Sequence, residues 1–284
     1  MTNKGIIDSG EDMNYSKAFG TDFYFERQPL IDTQIITGGH HYHGNFEIYY
    51  LTRGECWYFI DKKSVKLTAG DIALIPEGVI HKTNYETSKR SRILIHCSPE
   101  FIPHTVKELI PKMPYFAKTS QTQKAIEKII DSIEAEYLSP DEFSYDALKS
   151  KLADLLILIA RGNKISDHEK TESPVVEKAV SYIKAHYASG VTLKDVADYC
   201  FVSREHLSRT FKRETGFGFN EYLTVYRLKK AESILKTNPK SKISEVALSC
   251  GFNDSNYFSK IYKKMYNVSP METKILSKGD VTFV

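Results

Sequence analysis

The sequence predicts an α+β chain of two domains: an N-terminal β-barrel followed by two helices, then an all-helical C-terminal domain. Three observations carry this. The chain has 284 residues, more than the roughly 100–200 of one typical domain. Its apolar pattern changes from short runs of β-branched and aromatic residues before Cys97 to helical stripes after Thr119. Its charge also divides. Residues 174–284 carry 18 Lys/Arg against 11 Asp/Glu, a net of +7, while residues 1–173 carry 21 against 25, a net of −4.

The strand-like runs are Phe46–Leu51, Cys56–Ile60, Ser64–Leu67, Asp71–Ile75 and Arg92–His96. Turn residues separate them: Arg53-Gly54, Asp61-Lys62-Lys63, Ala69-Gly70-Asp71 and Pro76-Glu77-Gly78. Strands at such short spacing argue for a sandwich or barrel. Ile126, Ile129, Ile130 and Ile133 then form one helical stripe, and Leu148, Leu152, Leu155, Leu156 and Ile159 another. Two such stripes, at about 121–161, suit either a dimer interface or packing on their own barrel. Residues 1–162 form the first domain, the polar stretch 163–173 a linker, and 174–284 the second domain, with Pro174 suited to the first turn of a helix.

Bulk composition excludes several classes. Hydrophobic residues make up 41% and charged residues 26%, as in ordinary globular proteins. The first ten residues hold no apolar stretch of a secretion signal. The longest aliphatic run, Leu155–Ala160, is far short of the roughly 20 residues that span a bilayer. Cys56, Cys97, Cys200 and Cys250 lie scattered without C-x-x-C spacing, which suggests reduced thiols rather than a disulfide framework or zinc finger. The expectation is a cytoplasmic protein with no membrane partner.

The C-terminal half contains an internal near-repeat of about 50 residues. One copy reads Leu193-Lys-Asp-Val-Ala197, Cys200-Phe-Val-Ser203, His206-Leu-Ser-Arg-Thr-Phe-Lys212; the other reads Ile243-Ser-Glu-Val-Ala247, Cys250-Gly-Phe-Asn253, Tyr257-Phe-Ser-Lys-Ile-Tyr-Lys263. Each is a short helix, a tight turn and a second helix opened by a cap, Ser203 in one and Asn253 or Asp254 in the other. Ala197 and Ala247 fall where two steeply crossing helices leave room for a methyl group. Leu207/Phe211 and Phe258/Tyr262, spaced i and i+4, make the buried seam of each second helix. This is the helix-turn-helix pattern, whose second helix enters the DNA major groove. Gly216–Leu235 supplies one long helix between the copies.

The last hundred or so residues resemble the DNA-binding domain of the AraC/XylS regulators. The resemblance rests on Gly216, Phe219, Tyr222-Leu223, Arg227-Leu228, Ala231 and Leu235, on Ile243-Ser-Glu-Val-Ala247, on Gly251-Phe252 and Tyr257-Phe258, and on Tyr266-Asn-Val-Ser-Pro270. It implies that one polypeptide places its two motifs in successive major grooves. Helix geometry then exposes Arg204, Glu205, Ser208, Arg209 and Lys212 in the first motif, and Ser255, Asn256, Ser259, Lys260 and Lys263 in the second. Arg209 suits guanine, Asn256 adenine and Glu205 the cytosine amino group. Lys212 and Lys263 suit phosphate.

Residues 38–84 hold a second pattern. His41-x-His43-x-x-x-Glu47 is followed by Gly54, then by Gly70-x5-Pro76-x-Gly78-x-x-His81. In an extended strand 41, 43 and 47 share one face, and a second strand would bring in His81. The spacing resembles both halves of the cupin signature, although the family's closing Asn falls on Tyr85, with Asn84 one place early. Two readings stay open for His41, His43, Glu47 and His81: a divalent metal site, or histidines lining a pocket for a polar ligand such as a carbohydrate. Tyr24, Trp57, Tyr58 and His96 are further pocket candidates without an assigned face.

Taken together, these features predict a sequence-specific transcription regulator that binds double-stranded DNA and is not an enzyme. A small molecule, a sugar by preference, binds the cupin-like barrel; no cofactor is required beyond the open question of metal. The family alone suggests an activator, and hence RNA polymerase as partner, acting as a homodimer. The alternative is a cupin metalloenzyme, an oxygenase or isomerase, with a helical docking module.

Overall fold

The computed structural model describes residues 19–20, 22–32, 43–85, 89–119, 121–162 and 173–277. The chain divides into two compact units, at Glu172/Ser173.

The first unit is built on two antiparallel sheets. Its strands are β1 (Phe23–Asp32), β2 (Phe46–Arg53), β3 (Glu55–Ile60), β4 (Lys63–Thr68), β5 (Asp71–Ile75), β6 (His81–Tyr85), β7 (Lys89–Cys97) and β8 (Phe116–Lys118). The larger sheet runs β1-β7-β2-β5-β8 and the smaller β4-β3-β6. A short helix α1 (His104–Lys107) and a 3-10 turn (Ile110–Lys112) lead to β8; α2 (Gln123–Leu138) and α3 (Ser144–Gly162) follow it.

Residue parity decides what each face of the large sheet touches. Phe46, Ile48 and Tyr50 of β2, with Ile93, Ile95 and Cys97 of β7, join α2 and α3 in one apolar cluster. The alternate residues Tyr49, Leu51 and Leu94 join Cys56, Tyr58, Ile60 and Tyr85 of the small sheet in another. The space between the sheets is therefore lined by odd positions of β2 and even positions of β7. β1 was not read from the sequence because Pro29 and four charged or amide side chains interrupt its apolar residues. It is an edge strand paired only to β7, and its register shifts between Gln28 and Ile31, where a proline costs no ladder hydrogen bond.

The helices pack on their own sheet. Ile126, Ile130, Ile133, Leu148, Leu152, Leu155, Leu156 and Ile159 are buried within the single chain, and Ile129 is half-buried against the same cluster; exposed apolar side chains nearby are Leu138, Phe143 and Tyr145. Leu155→Ala should therefore cost about 2–5 kcal/mol of stability, as for other buried leucines. Denaturant midpoints at several protein concentrations check this: the loss should not depend on concentration. A concentration-dependent loss would return these residues to an interface.

The second unit is all-helical: α4 (Pro174–His186), α5 (Leu193–Cys200), α6 (Arg204–Thr215), α7 (Phe219–Thr237), α8 (Ile243–Ser249), α9 (Ser255–Tyr266) and α10 (Pro270–Ser277). Side chains cap the starts of α4, α5, α6 and α9. Ser173 accepts from Val176 N with Pro174 in the first turn. Thr192 and Asp195 form a reciprocal capping box on α5. Ser203 caps α6 by accepting from His206 N, and Asp254 caps α9 by accepting from Asn256 N and Tyr257 N. Each satisfies backbone N–H groups that a helix start leaves without partners. Among the described residues no helix is long and apolar enough to cross a membrane.

Candidate functional site

At one end of the inter-sheet space four side chains converge on one carboxylate. Glu47, interior-facing on β2, stands opposite His96 of β7 in the strand register. Its Oε2 lies 2.9 Å from His43 Nε2, 3.3 Å from His81 Nε2 and 3.4 Å from His96 Nε2. Its Oε1 accepts from the Tyr58 hydroxyl at 2.9 Å. The His43 ring stands 4.9 Å from those of His81 and His96, centroid to centroid.

The ring orientations are fixed from behind. His43 Nδ1 lies 2.9 Å from the Asn45 carbonyl and His81 Nδ1 2.8 Å from the Val79 carbonyl. A carbonyl only accepts, so each Nδ1 carries its proton and donates. In a neutral ring Nε2 then presents a lone pair to the carboxylate. Those contacts are attractive only when a cation stands between the partners, either a proton on each ring or one metal ion shared by all. Rings held this way by a backbone carbonyl are typical of metal-binding histidines.

The electrostatics agree. Burial alone would raise the Glu47 carboxyl, but His96 and His81, with hydrogen bonding from His43 and His81, outweigh it and hold the group well below the usual carboxylate range. Burial depresses His96 to about 3 against the pull of Glu47. Neither ring nitrogen of His96 has a hydrogen-bond partner among the described residues. Burial, then the Glu47 charge, push the Tyr58 phenol well up, which keeps it a donor. His43, Glu47 and His96 bring one ligand atom each within 4.8 Å of one another.

Of the sequence-predicted set, His43, Glu47 and His81 meet here; His41 lies outside the described residues. His43 arrives by a different route from the one expected. It precedes β2 rather than lying in it, and a bend at Gly44-Asn45 returns its ring to Glu47. Tyr58 and His96 join the cluster, and Tyr24 lies edge-on to His96 at 6.0 Å. Trp57, between the interior-facing Cys56 and Tyr58, belongs to the opposite face.

In the second unit α5–α6 and α8–α9 are two helix-turn-helix motifs around α7. Ala197 and Ala247 are buried at equivalent places in α5 and α8, 50 residues apart. The second helices are 51 apart, Leu207 matching Phe258 and Phe211 matching Tyr262, because the second turn is one residue longer. Asp254 rather than Asn253 is consequently the cap. With those pairs buried, the exposed face of α6 carries Glu205, His206, Arg209, Lys212 and Arg213, with Arg204 and Ser208 at its margins; that of α9 carries Asn256, Tyr257, Lys260, Lys263 and Lys264. Ser255 and Ser259 are half-buried flanks of the seam, and the Ser259 hydroxyl donates to the Ser255 carbonyl at 2.8 Å. They do not share the face on which the sequence placed them. Lys212 Nζ donates to the Gly216 carbonyl at 2.7 Å, closing its own helix while half-exposed. His206 and Tyr257, the latter 54% exposed, were missed. A helical wheel centred on the buried pair, at about 100° per residue, would have placed both on the outer face.

A basic domain with two exposed recognition helices and a sheet domain with a buried polar cluster define a DNA-binding transcription regulator with a ligand-binding domain. The AraC-like ligand binding domain family matches residues 24–157, and a helix-turn-helix domain family matches residues 196–274. The chain belongs to the AraC-type transcription regulators. It is 25% identical to the Msm operon regulatory protein of Streptococcus mutans, over 80% of this chain and 82% of that one. It is 23% identical to the HTH-type transcriptional activator RhaS of Escherichia fergusonii, over 91% and 97%. Over 44% of this chain and 42% of the relative, it is 37% identical to the HTH-type transcriptional regulator YijO of Escherichia coli.

Proposed function

We propose that this regulator is a transcription activator whose grip on DNA is set by a sugar bound between the two sheets of its first unit. The observation that carries this reading is the buried cluster His43–Glu47–Tyr58–His81–His96. A carboxylate, a phenol and three imidazoles gathered at one end of the interior are the few convergent polar groups that a hydroxyl-rich ligand needs. The ligand acts only through different affinities for two states of the chain. The similarity to RhaS, named an activator, supports the sign, and RNA polymerase is then a partner. A homodimer would use the exposed Leu138, Phe143 and Tyr145 at the α2–α3 turn rather than the buried stripes.

The residues also fit a divalent metal. His43, Glu47, His81 and His96 would hold it, and it would supply a Lewis-acidic point for a ligand oxygen. The orphaned nitrogens of His96 and the lone pairs aimed at Glu47 support this reading. The chain is read as a regulator and not an enzyme, because the cluster's acid and bases engage one another and the second unit offers a complete binding function.

The test uses the full chain and a duplex selected from a random library. Arg209→Ala and Lys260→Ala should each weaken binding roughly 5- to 150-fold, the loss expected for about 1–3 kcal/mol per base contact. Each should relax a different half of the selected sequence. Affinity should fall steeply with salt, about 0.9 in log–log slope per phosphate contacted. A neutral sugar should shift the dissociation constant of the wild type but not of a Tyr58→Phe, His96→Ala variant. Unchanged affinity in both DNA variants would refute the base-reading face; no sugar response from a broad panel would refute the effector.

A further inference from the structure

The interior of the sensor unit has a second polar end that the histidine cluster does not use. Arg90 and Arg92 share the interior-facing parity of Leu94 and His96 on β7. Arg90 and His96 are six residues apart, roughly 20 Å along a strand. Both guanidinium side chains are buried, at 6% and 7% exposure. The Arg90 guanidinium carbon stands over the Tyr85 ring, 4.2 Å from its centroid. The Tyr85 hydroxyl accepts from the Tyr49 hydroxyl at 3.1 Å and from Arg92 Nη1 at 3.4 Å. Both lone pairs of that oxygen are thus taken, and its own proton is left to donate. Arg90 Nη1, also buried, has no hydrogen-bond partner among the described residues. Arg92 Nη2 approaches the Glu26 carboxylate at 4.0 Å.

A guanidinium never sheds its proton. Burying one with an N–H group unmatched is costly. The other interior carboxylate, Glu47, is held by three imidazoles at the far end. A planar N–H donor and a phenol O–H donor, held side by side in apolar surroundings, match the oxygens of an anion.

We propose that Arg90, with Tyr85 and Arg92, forms an anion site of the sensor unit that takes the carboxylate or phosphate group of a small molecule. This goes beyond the sugar reading and does not need it: with Arg90 six residues along β7 from His96, the anion fills this end alone.

Trp57, the single tryptophan, sits in β3, so its fluorescence reports unfolding of this unit in the full chain. Melting curves would be taken at constant ionic strength while chloride is replaced by inorganic phosphate in one series and by malonate in another. The wild-type midpoint should rise along a saturating curve in one series, which identifies phosphate or carboxylate. Arg90→Met keeps the aliphatic stem over Tyr85 and removes the charge. It should be at least as stable as wild type in the chloride buffer, because an unmatched buried charge is gone, and should show no rise in either series. A flat wild type in both series would overturn the proposal. So would an Arg90→Met protein that melts well below wild type in chloride, or one that responds to the anion as wild type does. A neutral-sugar response retained by Arg90→Met would leave the sugar reading standing whichever way these results fall.

Discussion

Gly251→Ala should lower the stability of the second helix-turn-helix motif by about 3 kcal/mol or more and abolish DNA reading by α9. Two independent costs act at this position. Its φ is +85°, in the region an L-residue enters at about 1–2 kcal/mol. A Cβ there would lie 2.8 Å from the Tyr187 carbonyl oxygen and 2.9 Å from Arg227 Nε and Nη2. Arg227 cannot step aside freely: its Nε donates to the Tyr187 carbonyl at 2.7 Å and its Nη2 to the Ser189 carbonyl at 2.9 Å. Those bonds tie the end of α4 to α7, and charged hydrogen bonds of this kind are worth about 1.5–3 kcal/mol each. Hydrogen exchange over 243–266 should accelerate by about 100-fold, the equivalent of that loss in a local opening equilibrium. The first turn supplies the control. Phe201 holds the matching left-handed conformation, φ 58°, with its side chain 90% exposed. No comparable crowding surrounds it, so Phe201→Gly should be neutral or stabilising by up to about 1 kcal/mol. Equal exchange rates in wild type and Gly251→Ala would show that the turn relaxes without consequence and would remove the steric account.

The same pair of turns shows what the sequence could and could not reveal. The repeat was readable because Val-Ala and the i, i+4 seams recur with helical spacing, and these are local properties. The extra residue in the second turn hid in a near-repeat of about 50. It decides the cap, open in the sequence between Asn253 and Asp254, in favour of Asp254, and Ser255 and Ser259 lie half-buried beside the seam. In the sheet domain, alternation showed most strands, but which strands face each other is non-local. His96 was visible as a candidate, yet only the pairing of Glu47 with His96 across β2 and β7 places it in the cluster. The Arg90–Tyr85 stack likewise joins two strands of different sheets, and no spacing in the chain announces it.

Chelation should lower the melting midpoint of the sensor unit by roughly 5–10 °C, and Glu47→Gln should remove that response. The first figure follows from a metal held at about 100 times its dissociation constant, which stabilises the folded state by about 2.7 kcal/mol. In a domain of this size one kcal/mol moves the midpoint by about 2–4 °C. Glu47→Gln separates the two cations that could satisfy the cluster. The amide has two N–H donors, which can meet the lone pairs of His43 Nε2 and His81 Nε2 directly, so the variant should fold. It loses the anionic ligand, however, and with it most of the affinity for a divalent ion. Metal content measured on purified protein by plasma mass spectrometry should therefore approach one ion per wild-type chain and fall toward zero in Glu47→Gln and in His96→Ala. His96→Ala is the sharper arm, because that ring has no hydrogen bond to lose among the described residues. If protons rather than a metal join the rings to Glu47, chelator will leave the wild type unchanged. His96→Ala would then alter neither metal content nor the response to chelator.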